Sequence, residues 1–461
     1  MRLGIFSLLF TLTLGTTAQT PERMSESTAF TAMAPAEPAI TLAAASLTTP
    51  TNAPVSITIP PAAPAKPLPY GFDVSLFESM ASELVANQRV PGLAMAIVHN
   101  GQVLSARGYG ITDVSAAEPV DGHTVFRLAS LSKGFAGTMA GLLVNDGTLR
   151  WDSKVTQYLP DFQLSQPGAA QQTTVADLLS HRVGLAHNAF DRDLERYVGY
   201  RELTQKLAAA PLTCRPGTCY AYQNIAFSLI GDIVFASTGA FYSQEVQRRL
   251  LKPLGMNDAS LGLEGIRASA RWARPHVRAR GGWASVVPKS TYYEVAPAAG
   301  VNASASDMAQ WLIAQTGHRP DILSAPLLAT LHQPLVATPG QTRSSEWRRQ
   351  RLGSASYALG WRVYDYSGHR LVYHAGAVQG YRGMIAMLPD QDIGIAVMWN
   401  GESALPSGLL PTIIDSAIGL PAHAWLDVDA TSRAHLAADS SPLRFGPNSG
   451  SAAQRAAAAP N

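Results

Sequence analysis

FRLASLSKGFAGTMAGLLVNDGTLRWDSKVTQYL, residues 126–159, contains the only Ser-x-x-Lys of the sequence, Ser130 to Lys133. Small and apolar residues follow the lysine, and the Asn-Asp-Gly sequence at 145–147 is a stop signal. This pattern predicts a helix with Ser130 at its N-terminal end. Residues three apart lie on the same face of a helix, so the Lys133 amine is expected to reach the Ser130 hydroxyl.

The chemistry expected of this pair is nucleophilic catalysis. A lysine held among the apolar residues of this stretch is partly desolvated, which favours its neutral form and lets it accept the proton of Ser130. The backbone N–H groups of the first helical turn are expected to stabilise negative charge on an attacked carbonyl. The alternative is an N-cap serine beside a solvated lysine. The pair alone does not decide between these interpretations.

Composition excludes few functions. The 461 residues are 46% hydrophobic, which is enough for a large core in one or two domains. The formal net charge is +2 and only 15% of residues are charged. The sequence has no basic stripe for nucleic acid and no acidic run for cations, so charge does not identify a partner. The motifs described below predict a small-molecule or peptide substrate, and the oligomeric state is left open.

The first eighteen residues, MRLGIFSLLFTLTLGTTA, have one basic residue, an apolar run and a small-residue end. This pattern predicts a signal peptide over 1–18 and a periplasmic or secreted protein, with an uncleaved anchor as the alternative. No later stretch is apolar and long enough to span a bilayer, so no stable membrane insertion is expected after signal removal.

The two cysteines, Cys214 and Cys219, flank a Pro-Gly turn signal. In an exported protein such a pair is expected to form a short local disulfide. Two buried thiols are the alternative. A zinc site is not expected, because the sequence supplies no further ligands for it.

Composition also divides the chain. Residues 19–71 are rich in Ala, Thr and Pro and are predicted to be a disordered spacer. The folded domain is predicted over residues 72–420, and 421–461 is predicted to be a largely disordered extension.

Strand patterns occur at both ends of the folded part, and helical patterns lie between them. An Asn-Gly turn predicts a hairpin of strands 92–98 and 102–108. The predicted helices include 194–209, 225–236 and 307–314, and the segment 333–352 is predicted to be a polar surface excursion. Further strands are predicted at 357–364, 370–374, 381–388 and 393–400, with a closing helix at 409–418. These elements predict an α+β fold in which the terminal strands complete one antiparallel sheet, with an active-site cleft against a helical lobe.

Two short motifs follow Ser130 in the sequence. In Tyr222-Gln223-Asn224, positive charge near the tyrosine is expected to lower its pKa for proton transfer, and Asn224 offers both a donor and an acceptor. In His374-Ala375-Gly376, glycine allows a substrate to approach the backbone closely, and the N–H of Ala377 is a candidate oxyanion donor. Each motif is uninformative in isolation.

Together, Ser-x-x-Lys, Tyr-x-Asn and His-x-Gly resemble the serine β-lactamase and penicillin-binding protein superfamily, in its class C β-lactamase, D-aminopeptidase and esterase branch. The resemblance covers about residues 72–420 and extends to PGLAMAIVHNG, LLSHRVGL and YHAGAVQGYRG. It implies a β-lactamase/transpeptidase-like fold, with an antiparallel sheet flanked by helices and a mainly helical second lobe. It implies no metal and no cofactor.

The resemblance also implies roles for individual residues. Ser130 would be the acylated nucleophile, Lys133 its proton acceptor and Tyr222 the proton shuttle to the leaving group. Asn224 would contact substrate, and the N–H groups of Ser130 and Ala377 would form the oxyanion hole. His374 and Gly376 would belong to the substrate-binding strand.

Two departures from the family pattern bear on the substrate. His374-Ala375-Gly376 stands where class C β-lactamases usually have Lys-Thr-Gly, and a histidine is mostly neutral at pH 7. This difference predicts weak turnover of β-lactams. Gln223 replaces a small residue and is expected to narrow one wall of the site.

The sequence therefore predicts an exported serine hydrolase that acts through an acyl-enzyme on ester, amide or D-amino-acid peptide substrates. The alternatives are a true class C-like β-lactamase or D,D-carboxypeptidase and, in another class, a penicillin- or peptidoglycan-binding sensor without turnover.

Overall fold

The computed structural model describes residues 67–428. The signal peptide predicted over 1–18, and most of the spacer predicted over 19–71 and of the extension predicted over 421–461, lie outside the described residues. Within the predicted extension, Trp425–Val428 form a short helix and Trp425 is buried, so folded structure continues beyond residue 420.

The strands form one large sheet and two small ones. The large sheet has eight strands in the order β2-β1-β13-β12-β11-β10-β9-β8, and the small sheets have the orders β3-β7-β4 and β5-β6. The strand bounds are β1 Gly92–His99, β2 Gln102–Gly110, β3 Phe126–Arg127, β4 Ser260–Leu261, β5 His276–Ala279, β6 Gly282–Ser285, β7 Val301–Ala303, β8 Val336–Ala337, β9 Leu352–Tyr357, β10 Arg362–Tyr366, β11 His369–Val378, β12 Tyr381–Leu388 and β13 Ile393–Trp399.

Most helices lie between β3 and β8 in the chain. Their bounds are α1 Val74–Ala86, α2 Ser132–Asn145, α3 Val155–Tyr158, α4 Ala169–Gln172, α5 Val175–Leu179, α6 Asp191–Glu195, α7 Tyr200–Lys206, α8 Ile225–Thr238, α9 Tyr242–Val246, α10 Lys252–Leu254, α11 Gly262–Arg267, α12 Ala296–Ala299, α13 Ala305–Ile313, α14 Ala325–Leu331, α15 Glu346–Arg351, α16 Leu409–Ala417 and α17 Trp425–Val428. Among residues 67–428 no single helix is long and apolar enough to cross a membrane, although the bent pair Ile225–Thr238 and Tyr242–Leu254, at 82°, passes by length and composition when taken together.

The terminal strands complete one antiparallel sheet, as the sequence predicted. β1 pairs with β2 through the predicted hairpin and with β13 from the other end of the domain, in a register that runs from Leu93 opposite Trp399 to His99 opposite Ile393. The predicted strands 381–388 and 393–400 and the closing helix 409–418 are confirmed to within one residue. The sheet therefore joins the first and last thirds of the folded chain.

Both faces of this sheet are buried. Alternate side chains of β1 point to opposite faces, so Ala94, Ala96 and Val98 pack into the core that contains α2. Leu93, Met95 and Ile97 pack into a second core, which α1 and α16 cover. Burial on both faces explains why the strand is a continuous apolar run instead of an alternating one.

The continuous strand predicted at 357–364 is wrong, because it spans the end of β9 and the start of β10. Residues 358–361 are the tight connection between these strands, in which Ala358 N–H donates to the Trp361 carbonyl at 2.7 Å. Gly360 has a φ of 82°, and a Cβ there would lie 2.2 Å from the Lys133 carbonyl oxygen. The chain turns here because it meets helix α2, a tertiary contact that strand periodicity does not register.

Two other predicted segments differ from the structure. The helix predicted over 194–209 is divided into α6, α7 and a 3₁₀ turn at Leu207–Ala209. The predicted surface excursion 333–352 contains β8 and α15, and α15 buries Trp347 and Arg348. The predicted helix 307–314 is confirmed as α13, which begins two residues earlier because Ser304 caps it by accepting the Asp307 N–H.

Replacing Gly137 by alanine is expected to destabilise the fold. In an ordinary helix interior this substitution stabilises by about 1 kcal/mol. In α2 the added Cβ would lie 2.2 Å from the Leu359 carbonyl oxygen, so we expect Gly137→Ala to lower the free energy of unfolding by about 1–3 kcal/mol in urea titrations. Gly340→Ala is the control, because no atom lies within 4 Å of a Cβ at that position. An unchanged denaturation midpoint for Gly137→Ala would contradict this packing.

Candidate active site

Ser130 lies in a 3₁₀ turn, Ala129–Leu131, that leads directly into α2. The α-helix begins at Ser132, so Ser130 precedes the helix instead of starting it. Ala129 has a φ of 49°, a left-handed conformation that is strained for a residue with a Cβ. This turn places the half-buried Ser130 on the wall of a cleft.

Lys133 is completely buried next to Ser130. Its Nζ donates to Ser130 Oγ at 3.3 Å, to Asn224 Oδ1 at 2.7 Å and to the Ala298 carbonyl oxygen at 3.1 Å. Burial lowers the pKa of Lys133 well below its usual value, although the charge of Asp191 opposes this shift. The amine predicted to act as a base is thus in contact with the predicted nucleophile and in a place that favours its neutral form.

Asn224, directly before α8, links Lys133 to a carboxylate that sequence reasoning missed. Its Nδ2 donates to Asp191 Oδ2 at 2.7 Å, while its Oδ1 accepts from Lys133. Burial raises the pKa of Asp191 to about 7, against the effects of Asn224 and Lys133. No motif surrounds Asp191, and one carboxylate among several in the sequence AFDRDLE gave no signal.

Tyr222 packs over the lysine, with Lys133 Nζ 4.6 Å from the centre of its ring. Burial raises the pKa of Tyr222 above its usual value, and the hydrogen bond with Ser130 and the charge of Arg362 only partly offset this effect. The expectation of a lowered pKa is therefore wrong for this structure, because desolvation outweighs the nearby positive charge.

Gly376, on β11, lies against the backbone of the Ser130 turn. A Cβ at Gly376 would lie 2.3 Å from the Leu128 carbonyl oxygen and 3.0 Å from Ser130 N, so only glycine fits this contact. Ala377 follows on the same strand and lines the cleft together with Ser130. The two predicted oxyanion donors thus come from two backbone segments that touch each other.

His374 is buried behind the cleft wall and does not line the cleft. It is 1% exposed and is not among the residues that line the cleft. Its Nε2 lies 3.0 Å from the Tyr357 hydroxyl and its Nδ1 lies 2.8 Å from the Ala375 carbonyl oxygen. Both ring nitrogens are therefore engaged within the protein, and a direct contact between this imidazole and substrate remains a prediction.

His181 extends the same hydrogen-bond chain. Gln223 N–H donates to His181 Nδ1 at 3.1 Å, and His181 Nε2 lies 3.2 Å from the Tyr357 hydroxyl. An accepting Nδ1 requires the proton of neutral His181 to be on Nε2, so Tyr357 accepts from His181 and donates to His374. Burial lowers the pKa of both histidines well below the usual value.

His181 also holds the backbone on both sides of Tyr222. The Ala221 N–H donates to the His181 carbonyl at 2.9 Å, and the Gln223 N–H donates to its ring. The imidazole and the Tyr222 ring have centroids 4.3 Å apart. The histidine in LLSHRVGL, which sequence reasoning did not include in the site, therefore positions the tyrosine.

Cys214 and Cys219 form a disulfide in the structure, as predicted. The loop that they close is tied to the His181 segment by the bond from Gly217 N–H to the Arg182 carbonyl, at 2.7 Å. Gln223 is buried, donates to the Ala186 carbonyl and is not among the cleft-lining residues, so the expected narrowing of the site by its side chain is not observed.

Arg362 is a second residue that sequence reasoning missed. It begins β10 and lines the cleft, with its guanidinium 5.7 Å from the ring centres of both Tyr222 and Tyr357. Within residues 67–428 its Nη1 is buried and has no hydrogen-bond partner. The strand prediction placed this arginine inside a continuous strand and so concealed its position at the start of a new one.

The cleft between the sheet and the helices has a volume of about 1540 Å³. Tyr292 lines this cleft, whereas Trp272 packs with Val125 and Ile266. Trp283 instead donates to the Gln88 carbonyl at 3.1 Å. Within residues 67–428, no group of three or more His, Cys, Asp or Glu side chains is arranged to hold a metal ion.

Residues 77–414 match the family model described as Beta-lactamase. The unguisins hydrolase ungD of Aspergillus violaceofuscus is 26% identical over 369 residues, which cover 75% of this chain. The chain spans 65% of the length of that relative.

Solved structures with the same fold include the octameric penicillin-binding protein homologue from Pyrococcus abyssi, with a TM-score of 0.68 and 24% identity over 78% of this chain and 81% of that chain. The D-amino acid amidase from Ochrobactrum anthropi SV3 complexed with L-phenylalanine has a TM-score of 0.61 and 21% identity over 78% of this chain and 99% of that chain. The chain thus has the β-lactamase/transpeptidase-like fold, with an antiparallel sheet and flanking helices.

His181 and His374, which are neutral in the folded protein, are expected to make the free energy of unfolding depend on pH. Their folded-state pKa values lie below the unfolded value of about 6.5, so the unfolded state binds protons first and stability falls as pH drops below about 6.5. Each histidine contributes up to about 1.4 kcal/mol per pH unit. We expect His181→Asn to flatten this dependence in urea titrations from pH 7.5 to 5, because asparagine keeps an acceptor for Gln223 and tolerates the φ of 58°.

The control for this experiment is His123→Asn. His123 is exposed and pairs with Asp258, which raises its pKa, so its removal should not flatten the acid-side loss. The assignment of a neutral His181 in the folded protein would be rejected if His181→Asn left the pH dependence of unfolding unchanged.

Proposed function

The chain belongs to the Beta-lactamase family of hydrolases, and from that premise we propose that it is an exported serine hydrolase acting through an acyl-enzyme on ester, amide or D-amino-acid peptide substrates. The observation that carries this proposal is the contact between Lys133 Nζ and Ser130 Oγ at 3.3 Å, beside the cleft. A buried amine with a lowered pKa is suited to accept the proton of a hydroxyl in contact with it.

Acylation begins when neutral Lys133 takes the proton of Ser130 as Oγ attacks the substrate carbonyl carbon. The C–O bond of the acyl-enzyme forms, the carbonyl becomes a tetrahedral oxyanion and Lys133 becomes an ammonium. Three oxygen atoms surround its Nζ, so the ammonium has acceptors already in place. The contacts to Asn224 and Ala298 therefore stabilise the state that proton transfer creates.

The leaving group departs as the tetrahedral intermediate collapses, and it needs a proton. Tyr222 donates this proton and is restored by Lys133. The raised pKa of Tyr222 keeps its phenol protonated before the reaction, which suits a donor. Water then attacks the acyl-enzyme, gives its proton to the same relay and releases the acid and Ser130.

The oxyanion is placed against the backbone of the Ser130 turn and β11. Because of the close contact at Gly376, the backbone nitrogens of Ser130 and Ala377 lie on the same part of the cleft wall. Two N–H groups fixed in backbone segments need no reorganisation when charge develops.

Export is supported by the apolar N-terminal sequence and by the Cys214–Cys219 disulfide, since disulfides persist mainly in oxidising compartments. A periplasmic or secreted location is consistent with both features.

A second candidate is a true β-lactamase or D,D-carboxypeptidase, and Arg362 favours it. Neutral His374 lacks the permanent charge that a lysine would have on β11. Arg362 on the neighbouring strand supplies a permanent charge beside Tyr222, and its Nη1 has no hydrogen-bond partner within residues 67–428. A carboxylate on the leaving group would satisfy this guanidinium.

The serine hydrolase mechanism is tested with a fluorophosphonate, a fluorescent penicillin and a chromogenic acyl ester. We expect mass mapping to find both adducts on Ser130, and Ser130→Ala and Lys133→Met each to lower ester hydrolysis more than about 1000-fold. The controls are Ser115→Ala, at an exposed serine, and Lys154→Met, at a half-buried lysine, neither of which lines the cleft. Undiminished hydrolysis by Ser130→Ala would refute the mechanism, and a stable adduct without product release would indicate a sensor.

The carboxylate role of Arg362 is tested with a depsipeptide whose leaving group ends in a carboxylate and with its methyl ester. We expect Arg362→Gln to lower kcat/KM for the carboxylate form about 10- to 100-fold more than for the ester, because a charge-assisted hydrogen bond is lost. Arg150→Gln, at an exposed arginine paired with Asp152, serves as the control. Equal losses on both substrates would assign Arg362 to the packing of Tyr222 instead.

A further inference from the structure

Asp191 is a buried carboxylate on the helical wall of the cleft. The residue is 8% exposed, lines the cleft and begins the short helix α6. Its Oδ2 accepts from Asn224 Nδ2 at 2.7 Å. Within residues 67–428 its buried Oδ1 accepts no hydrogen bond of ordinary geometry, although the nearby Tyr292 hydroxyl helps to lower the pKa of Asp191. Leaving such an oxygen unsatisfied is costly, so its retention beside a substrate cleft calls for a ligand.

Before Lys133 takes the serine proton, no positive charge in the described part of the chain pairs directly with the Asp191 carboxylate. Lys133 reaches Asp191 only through Asn224, and the proposed mechanism requires Lys133 to be neutral before it takes the serine proton. Within residues 67–428 no lysine, arginine or histidine forms an ion pair with the Asp191 carboxylate that the structure records. A buried carboxylate without a direct cation favours a positively charged group in the adjoining cleft.

The neighbouring cleft residues add to this preference for a cation. Tyr292 donates its hydroxyl proton to Glu195 Oε1 at 3.0 Å, and both residues line the cleft with Asp191. The charge of Glu195 raises the pKa of Asp191, which means that the two carboxylates repel each other. A ligand cation between them relieves that repulsion.

We propose that Asp191, with Glu195 and Tyr292 beside it, binds the ammonium of a substrate with a free α-amino group, so that the enzyme acts on aminoacyl esters or amides. This inference rests on the proposed function. An α-amino nitrogen stands two bonds from the carbonyl carbon that Ser130 attacks, so only an acidic group close to the nucleophile reaches it. Asp191 meets that requirement because Asn224 connects it directly to Lys133.

The test compares alanine p-nitroanilide, as each enantiomer, with propionic acid p-nitroanilide, which lacks only the α-amino group. We expect the wild type to prefer an alanine substrate in kcat/KM, and Asp191→Asn to reduce that preference about 10- to 100-fold through loss of a charge-assisted hydrogen bond. Glu195→Gln should also reduce the preference for the alanine substrate, by a smaller factor. The matched control is Asp193→Asn, since Asp193 lies on the same helix but is paired with Lys206 at 2.9 Å.

Where neither anilide is hydrolysed, alaninamide and propionamide are compared as protectants of Ser130 against the fluorophosphonate, and the same preference is expected. The inference is overturned if the wild type shows no preference for the amine in either assay, or if Asp191→Asn lowers both substrates equally, which would assign Asp191 only to holding Asn224. Labelling of Ser130 without an amine preference leaves the proposed function intact. A wild type whose Ser130 is not labelled at all refutes both.

Discussion

The site depends on the removal of water from one lysine. Lys133 has no exposed surface, and its amine is surrounded by a hydroxyl, an amide oxygen and a backbone carbonyl that come from three separate elements. An amine in bulk water would stay protonated at neutral pH and could not take a proton from serine. Tyr222 covers the amine, with its ring centre 4.6 Å from Nζ, and the turn at Gly360 packs against the backbone of the same lysine.

A second constraint is the neutrality of the imidazoles beside that lysine. Two histidines and a tyrosine pass hydrogen bonds from the backbone at Gln223 to the backbone at Ala375, with each donor and acceptor used once. Their lowered pKa values keep further positive charge away from Lys133. The permanent charge at Arg362 lines the cleft on the sheet side, and the carboxylate of Asp191 lines it on the helical side.

Sequence reasoning reached the elements whose signals are local. The Asn-Gly hairpin, the buried strands and the Ser-x-x-Lys pair were predicted because turn chemistry, apolar runs and helical spacing are properties of a few adjacent residues. Sequence reasoning failed where a contact between distant parts of the chain determines the local conformation. The turn at Gly360, for example, packs against a helix more than two hundred positions earlier. Asp191 and Arg362 were missed for the same reason, since their importance comes from neighbours that only folding supplies.

The pairing of β1 with β13 has a consequence for how the domain folds. The strand that pairs with the other edge of β1 is the last strand of residues 67–428, about three hundred residues later. Contacts of such high sequence separation carry a large loop-closure cost and form slowly. During synthesis the first hairpin therefore has an unsatisfied edge until nearly the whole domain has emerged. The large sheet therefore closes only after β13, near the end of the described residues, has been synthesised.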